Sequence, residues 1–243
     1  MKMKKIIIAF LSLLLINNIE AQETKTVVND PNAELRTVGD FTGIKVSGGV
    51  GLYLSQGSEN SVAISCSDQK NIDKIITEVK NGVLHIYVEK GAWNGWNWKS
   101  YTIKAYITIK NLERINASGA SIVKMIDPFT VKDLKIDLSG ASSLKGTIKS
   151  ASISLDASGA SAITLTGKSA TANFDLSGAS VVKALEFEIE NCKVDASGAS
   201  SINIHVTKQL DAEASGASSI RYKGEATLKN VNSSGASSIR KRD

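Results

Sequence analysis

Apolar and polar residues alternate along most of this chain with the two-residue period of strands, not the 3.6-residue period of helices. From residue 111 onward the alternation is punctuated by the tetrapeptide SGAS, which occurs seven times, with its glycine at Gly119, Gly140, Gly159, Gly178, Gly198, Gly216 and Gly235. Successive glycines are 21, 19, 19, 20, 18 and 19 residues apart. A fixed period of this size marks an architecture of stacked repeats.

Aligned on the glycine, the repeats form columns. Four residues before it stand Ile115, Ile136, Leu155, Phe174, Val194, Ala212 and Val231, and four after it Val123, Leu144, Ile163, Val182, Ile202, Ile220 and Ile239. Both columns are apolar throughout, so each repeat predicts two short strands that flank a corner. SGAS is that corner: glycine supplies backbone angles closed to other residues, and serine hydroxyls satisfy backbone groups left unpaired by a turn. One repeat cannot bury enough apolar surface to offset the entropy of ordering about nineteen residues. Stacking the coils about 4.8 Å apart joins the columns into one core. The predicted fold is all-β, a single-stranded parallel β-helix (β-solenoid) of about 19-residue coils.

Residues 35–110 are strand-rich but less regular. FTGIKVSG, VGLYLSQG, SVAISC and YTIKAYITIK each alternate as half-buried strands do. Asn81-Gly82, between ITEVK and VLHIYV, is a hairpin signal, and NIDKII predicts one helical turn. This stretch reads as the opening coils of the same solenoid, with SGG at Ser47–Gly49 as a degenerate corner. Residues 111–243 hold the seven regular repeats.

The block FTGIKVSGGVGLYLSQG, followed by SVAISC, IDKIITEVKNGVLHIYV and the SGAS series, resembles the head GIN domain of autotransporter adhesins from about Arg36 to the end. The resemblance implies a right-handed β-helix in a cell-envelope setting, and it brings no catalytic residues. The segment GAWNGWNWKS departs from the family pattern.

Composition and the amino terminus add a location. Lys2, Lys4 and Lys5 precede an apolar run from Ile6 to Ile16 that is too short to span a bilayer, and Ala21 follows. Residues 1–21 therefore read as a cleaved secretory signal and 22–34 as a flexible leader, with the solenoid over 35–243. The chain is expected to be exported, to the periplasm, the cell surface or beyond, with no transmembrane segment. Removing residues 1–21 lowers the formal net charge from +5 to +3, since three lysines and one glutamate leave with them.

Candidate chemistry is sparse. His85 and His205 lie on strands without metal-ligand spacing, and no serine has a histidine and aspartate arranged around it. No enzyme and no cofactor are expected. Cys66 and Cys192 share the parity of buried positions several coils apart, which predicts two free thiols. Three residues before the glycine an acidic row includes Asp137, Asp156, Asp175 and Asp195, with Asn116, Glu213 and Asn232 in the same column. It reads as a turn-capping ladder, or alternatively as a row of cation sites. Five residues after the glycine stand Lys124, Lys145, Lys183, Arg221 and Arg240, with Thr164 and Asn203 between them, a basic stripe suited to an anionic glycan or another envelope component. Trp93, Trp96 and Trp98 share one loop, where they would either stack on sugars or cover the solenoid. Nucleic acid is not expected, because no stacking aromatics interleave the stripe. The sequence thus points to a non-enzymatic binding module; the alternatives are a polysaccharide-active β-helix enzyme and a purely structural scaffold.

Overall fold

The inward columns of the sequence become the inside of a β-solenoid. The computed structural model describes residues 30–89 and 101–242. Its opening strands are β1 (Ala33–Leu35), β2 (Gly43–Val46), β3 (Val50–Gln56), β4 (Ser61–Cys66), β5 (Ile75–Lys80), β6 (Val83–Val88) and β7 (Ile103–Ile109). The repeats supply β8 (Arg114–Ala117), β9 (Ile122–Met125), β10 (Phe129–Thr130), β11 (Asp133–Leu138), β12 (Ser143–Ala157), β13 (Ala162–Leu176), β14 (Val181–Ala196), β15 (Ser201–Ala214), β16 (Ser219–Lys223), β17 (Thr227–Ser233) and β18 (Ser238–Lys241). A single 3₁₀ turn, Gln69–Lys74, interrupts them where the sequence predicted a helical turn.

From β8 onward every pairing is parallel and in coil order, residue on equivalent residue: Ile115 beside Ile136, Ile136 beside Leu155, Leu155 beside Phe174, Phe174 beside Val194. Each long strand also turns a second bend opposite SGAS. In β12 the buried positions are 144, 146 and 148 before the bend and 153, 155 and 157 after it, so inward parity changes without breaking the ladder. Differences in repeat length are absorbed locally. The longer coil that begins at Gly178 carries its extra residue as a bulge, where Thr164 faces Lys183 but Thr166 faces Glu186. Volume is balanced between coils as well: Gly146 stands in a buried column against Met125, whose side chain occupies the space that a Cβ at Gly146 would need.

The SGAS corners stack directly on one another. The corner glycines have φ between +67° and +77°, and a Cβ built on Gly159 or Gly178 would come within 2.5 Å of the carbonyl oxygen of the preceding corner glycine. Glycine is thus required twice, for its backbone angle and for the close approach of the next coil. The second serine is buried in six of the seven motifs; Ser142 Oγ donates back across the turn to the Ser139 carbonyl at 2.8 Å and Ser180 Oγ to Ser177 at 2.9 Å, while Ser218 Oγ donates to the Ala196 carbonyl of the preceding coil. The expected corner at SGG is present too. Gly48 and Gly49 have positive φ and lie against Gly119, and Ser118 donates its amide to Val46.

The amino-terminal half joins the same solenoid, but not in chain order. The coil β2–β3 is flanked by β6–β7 on one side and β8–β9 on the other, so the later coil lies outside the earlier one. That outer coil is closed by antiparallel strands: β5 pairs with β6, β4 with β7, and β1 with β4. The hairpin at Asn81-Gly82 forms as the sequence indicated, both residues having positive φ. Ala33 and Glu34, within the stretch expected to be flexible leader, are already in the sheet. Asp30 ties the chain down just before them, accepting from Tyr106 Oη at 2.8 Å.

At the carboxyl-terminal end, among the described residues, β17 pairs only with β15 and β18 only with β16. The apolar columns end there in Leu228 and Val231, which are 44% and 40% exposed.

Candidate functional site

Residues of one column lie directly above one another, so each outward column becomes a row along the solenoid. Two charged rows flank the SGAS corner. The pairings place Asn116, Asp137, Asp156, Asp175, Asp195, Glu213 and Asn232 in one line. On the other side of the corner, Lys124, Lys145, Thr164, Lys183, Asn203, Arg221 and Arg240 form a second line. The five cations of that line are exposed. Lys145, Lys183, Arg221 and Arg240 have no side-chain hydrogen bond or ion pair among the described residues.

The second row continues into the opening coils, which counting from SGAS did not show. Tyr53 stands beside Lys124 and Tyr106 beside Tyr53. Their rings stack with centroids 5.3 Å apart, and Lys124 Nζ lies 5.5 Å from the centre of the Tyr53 ring. The signal was available: Tyr53 is five residues after Gly48, as Lys124 is five after Gly119. The first row likewise extends through Lys45 to His85.

The acidic row is partly neutralised at its start. Lys135 Nζ bridges Asp137 and Asp156, each at 3.3 Å, and the two carboxylates raise the lysine's pKa. Burial, with Asp156 close by, nevertheless pushes the Asp137 carboxyl above the usual range. Further along, Asp175 is raised by burial and by its neighbours Asp195 and Asp156. Asp175, Asp195 and Glu213 have no cationic partner among the described residues. A shallow groove of about 510 Å³ follows Asp137, Asp156, Asp175 and the adjacent serines. No three His, Cys, Asp or Glu side chains among the described residues are grouped as a metal ion would require. The row is a ladder of single carboxylates spaced by the coil rise, whereas calcium is held by six to eight converging oxygens.

The remaining candidates lie elsewhere. His85 faces outward beside Lys45 and Glu78, and His205 beside Lys223. Cys66 and Cys192 are both buried and unpaired, and desolvation raises both thiol pKa values. Trp93, Trp96 and Trp98 fall outside the described residues.

A family model described as "putative auto-transporter adhesin, head GIN domain" matches residues 40–226. The chain belongs to this family. No protein with a curated description matches it. Among solved structures, the GIN-domain chain is similar to a putative adhesin from Bacteroides fragilis, with a TM-score of 0.79 and 22% identity over 86% of this chain and 96% of that one. It is also similar to a putative lipid binding protein from Parabacteroides distasonis (TM-score 0.66, 21% identity, 88% and 98% covered) and to a putative adhesin from Parabacteroides merdae (0.62, 19%, 87% and 95%). At these identities the likenesses establish a shared fold. Among the described residues of this GIN domain, no helix is long and apolar enough to cross a membrane.

Proposed function

We propose that this GIN domain is an exported, non-enzymatic, adhesin-like module of the cell envelope that holds an extended anionic polymer, an acidic glycan, along its basic row. The observation that carries the reading is the register of Lys145, Lys183, Arg221 and Arg240, exposed in one line and without partners among the described residues. Side chains that neutralise one another contribute little to capture, whereas a row of unpaired cations raises the local concentration of a polyanion and speeds its encounter. Strand pairing sets the spacing of the row, so its cations recur at one or two coil rises, about 4.8 or 9.6 Å. An extended sugar chain advances by a similar step, so successive acidic sugars can meet successive cations. The family description as an adhesin agrees with a binding role.

The test is binding of a polyuronate oligosaccharide at low and physiological salt, with wild type beside the triple variant Lys145→Glu, Lys183→Glu, Arg221→Glu. Wild type is expected to bind more weakly as salt rises, and the variant to lose at least about tenfold in affinity. Binding that survives both salt and the triple change overturns the reading.

A further inference from the structure

The acidic and basic rows are matched to each other across the corner at every second coil. Asp137 and Lys145 flank the corner at Gly140, Asp175 and Lys183 that at Gly178, and Glu213 and Arg221 that at Gly216. In the intervening coils the basic position holds Thr164 or Asn203, and at the two outermost corners the acidic position holds Asn116 or Asn232. Opposite charges therefore recur together at every second coil, about 9.6 Å apart. No ion pair links the two rows within the described chain.

Between the rows runs a ridge of small residues. Its exposed side is formed by Gly140, Gly159, Gly178, Gly198, Gly216 and the alanine after each, so nothing larger than a methyl group stands along its crest. The ridge needs no partner for its backbone, because the stack already supplies one: Ala160 donates to Gly140, Ala179 to Gly159 and Ala199 to Gly178. A second surface can approach closely, and the longer side chains on either flank can reach past the ridge.

We infer that this ridge is a self-association surface, and that its partner is a second copy of the chain standing parallel to the first. Symmetry decides the arrangement. With two ridges face to face, a two-fold axis parallel to the solenoid keeps every coil at its own height and places the acidic row of each copy opposite the basic row of its mate. A two-fold axis across the solenoid instead sets acid against acid and base against base. Only the parallel pair brings Asp175 to Lys183, Glu213 to Arg221 and Asp137 to Lys145, each twice. It also supplies the cations that Asp175 and Glu213 lack among the described residues of their own chain. Exposed ion pairs are individually weak, so the dimer is a reversible, salt-sensitive one.

The inference stands apart from the polymer reading, because it needs the acidic row as well as the basic one. The test is analytical ultracentrifugation over a range of protein concentrations at low and physiological salt. Two charge-swapped proteins are compared with wild type, one carrying Asp175→Lys and Glu213→Lys, the other Lys183→Glu and Arg221→Glu. Wild type is expected to dimerise at low salt and to dissociate as salt rises. Each swapped protein alone is expected to associate at least about tenfold more weakly, and an equimolar mixture of the two to regain a heterodimer. Recovery in the mixture also shows that the swapped chains are folded; Asp175→Asn with Glu213→Gln, a milder change, should weaken the dimer in the same direction. A wild type that is monomeric at every concentration and salt, or a dimer that persists in either swapped protein, overturns the inference. Loss of polyuronate binding in the basic-row variant alone, with the acidic-row variant binding normally, belongs to the polymer reading and not to this one.

Discussion

A single corner glycine illustrates how tightly the repeat constrains its residues. Gly178 has φ of +67°, and an added Cβ would lie 2.5 Å from the Gly159 carbonyl oxygen and 3.0 Å from its nitrogen. Gly178→Ala is therefore expected to destabilise the domain by about 1–3 kcal/mol, read from urea denaturation. Gly39→Ala, where no atom lies within 4 Å and the backbone is unstrained, should stay within about 0.5 kcal/mol of wild type. The motif's glycine and second serine are thus structural, as the sequence suggested, while the charges beside them are free to serve binding. Those charges carry a pH signature. The Asp175 carboxyl is raised by burial and by Asp195 and Asp156, so its protonation favours the folded state: the gain is fully present below the unfolded pKa of about 3.9 and is lost as pH rises through the raised value. Asp175→Asn should melt higher than wild type at neutral pH, by up to about 0.5 kcal/mol for so exposed a group. Melts near pH 3 should show the difference gone, and an equal gap at both pH values would contradict this origin.

At the scale of strands, alternation was a reliable guide wherever a strand has one wet face. FTGIKVSG, VGLYLSQG and YTIKAYITIK contain β2, β3 and β7; SVAISC contains β4, but residues 62–66 are buried on both faces, not half-buried as its alternation suggested, because β1 and β7 flank it. Alternation could not tell which strand lies beside which, because parallel and antiparallel neighbours present the same pattern of buried side chains. Hence β4 reads as an ordinary coil segment, although it runs antiparallel to β7, whereas the Asn81-Gly82 turn marks β5 as the antiparallel partner of β6. The two ends of the stack consequently differ in stability. Every residue of β17 is exposed, and the strand is paired on one side only, whereas β14 is paired on both sides and buries alternate residues. Hydrogen exchange should find opening of Thr227–Ser233 close to 0 kcal/mol and opening of β14 near the global unfolding energy. Equal protection in the two strands would mean that the carboxyl-terminal edge is covered in solution.

Over the whole molecule, the spacing of seven identical tetrapeptides determines the coil length, the inward columns and the outward rows, because a solenoid's tertiary contacts repeat at the period of its sequence. The basic row from Lys124 to Arg240 and the acidic row beside it were legible for the same reason. The order of the opening coils was not. The sequence between β6 and β7 has no SGAS and is longer than that between β2 and β3, so no fixed period carries the register across it, and only long-range pairing places β6–β7 outside β2–β3. That placement puts Tyr106 at the end of the basic row, beyond Tyr53, which the pairing of β3 with β9 sets beside Lys124. Only the stacked structure also decided that the two charged rows flank one smooth ridge at matching heights. In sequence, Asp175 and Lys183 are simply eight residues apart; their relation to a partner arises when strand pairing stacks the corners and turns columns into faces.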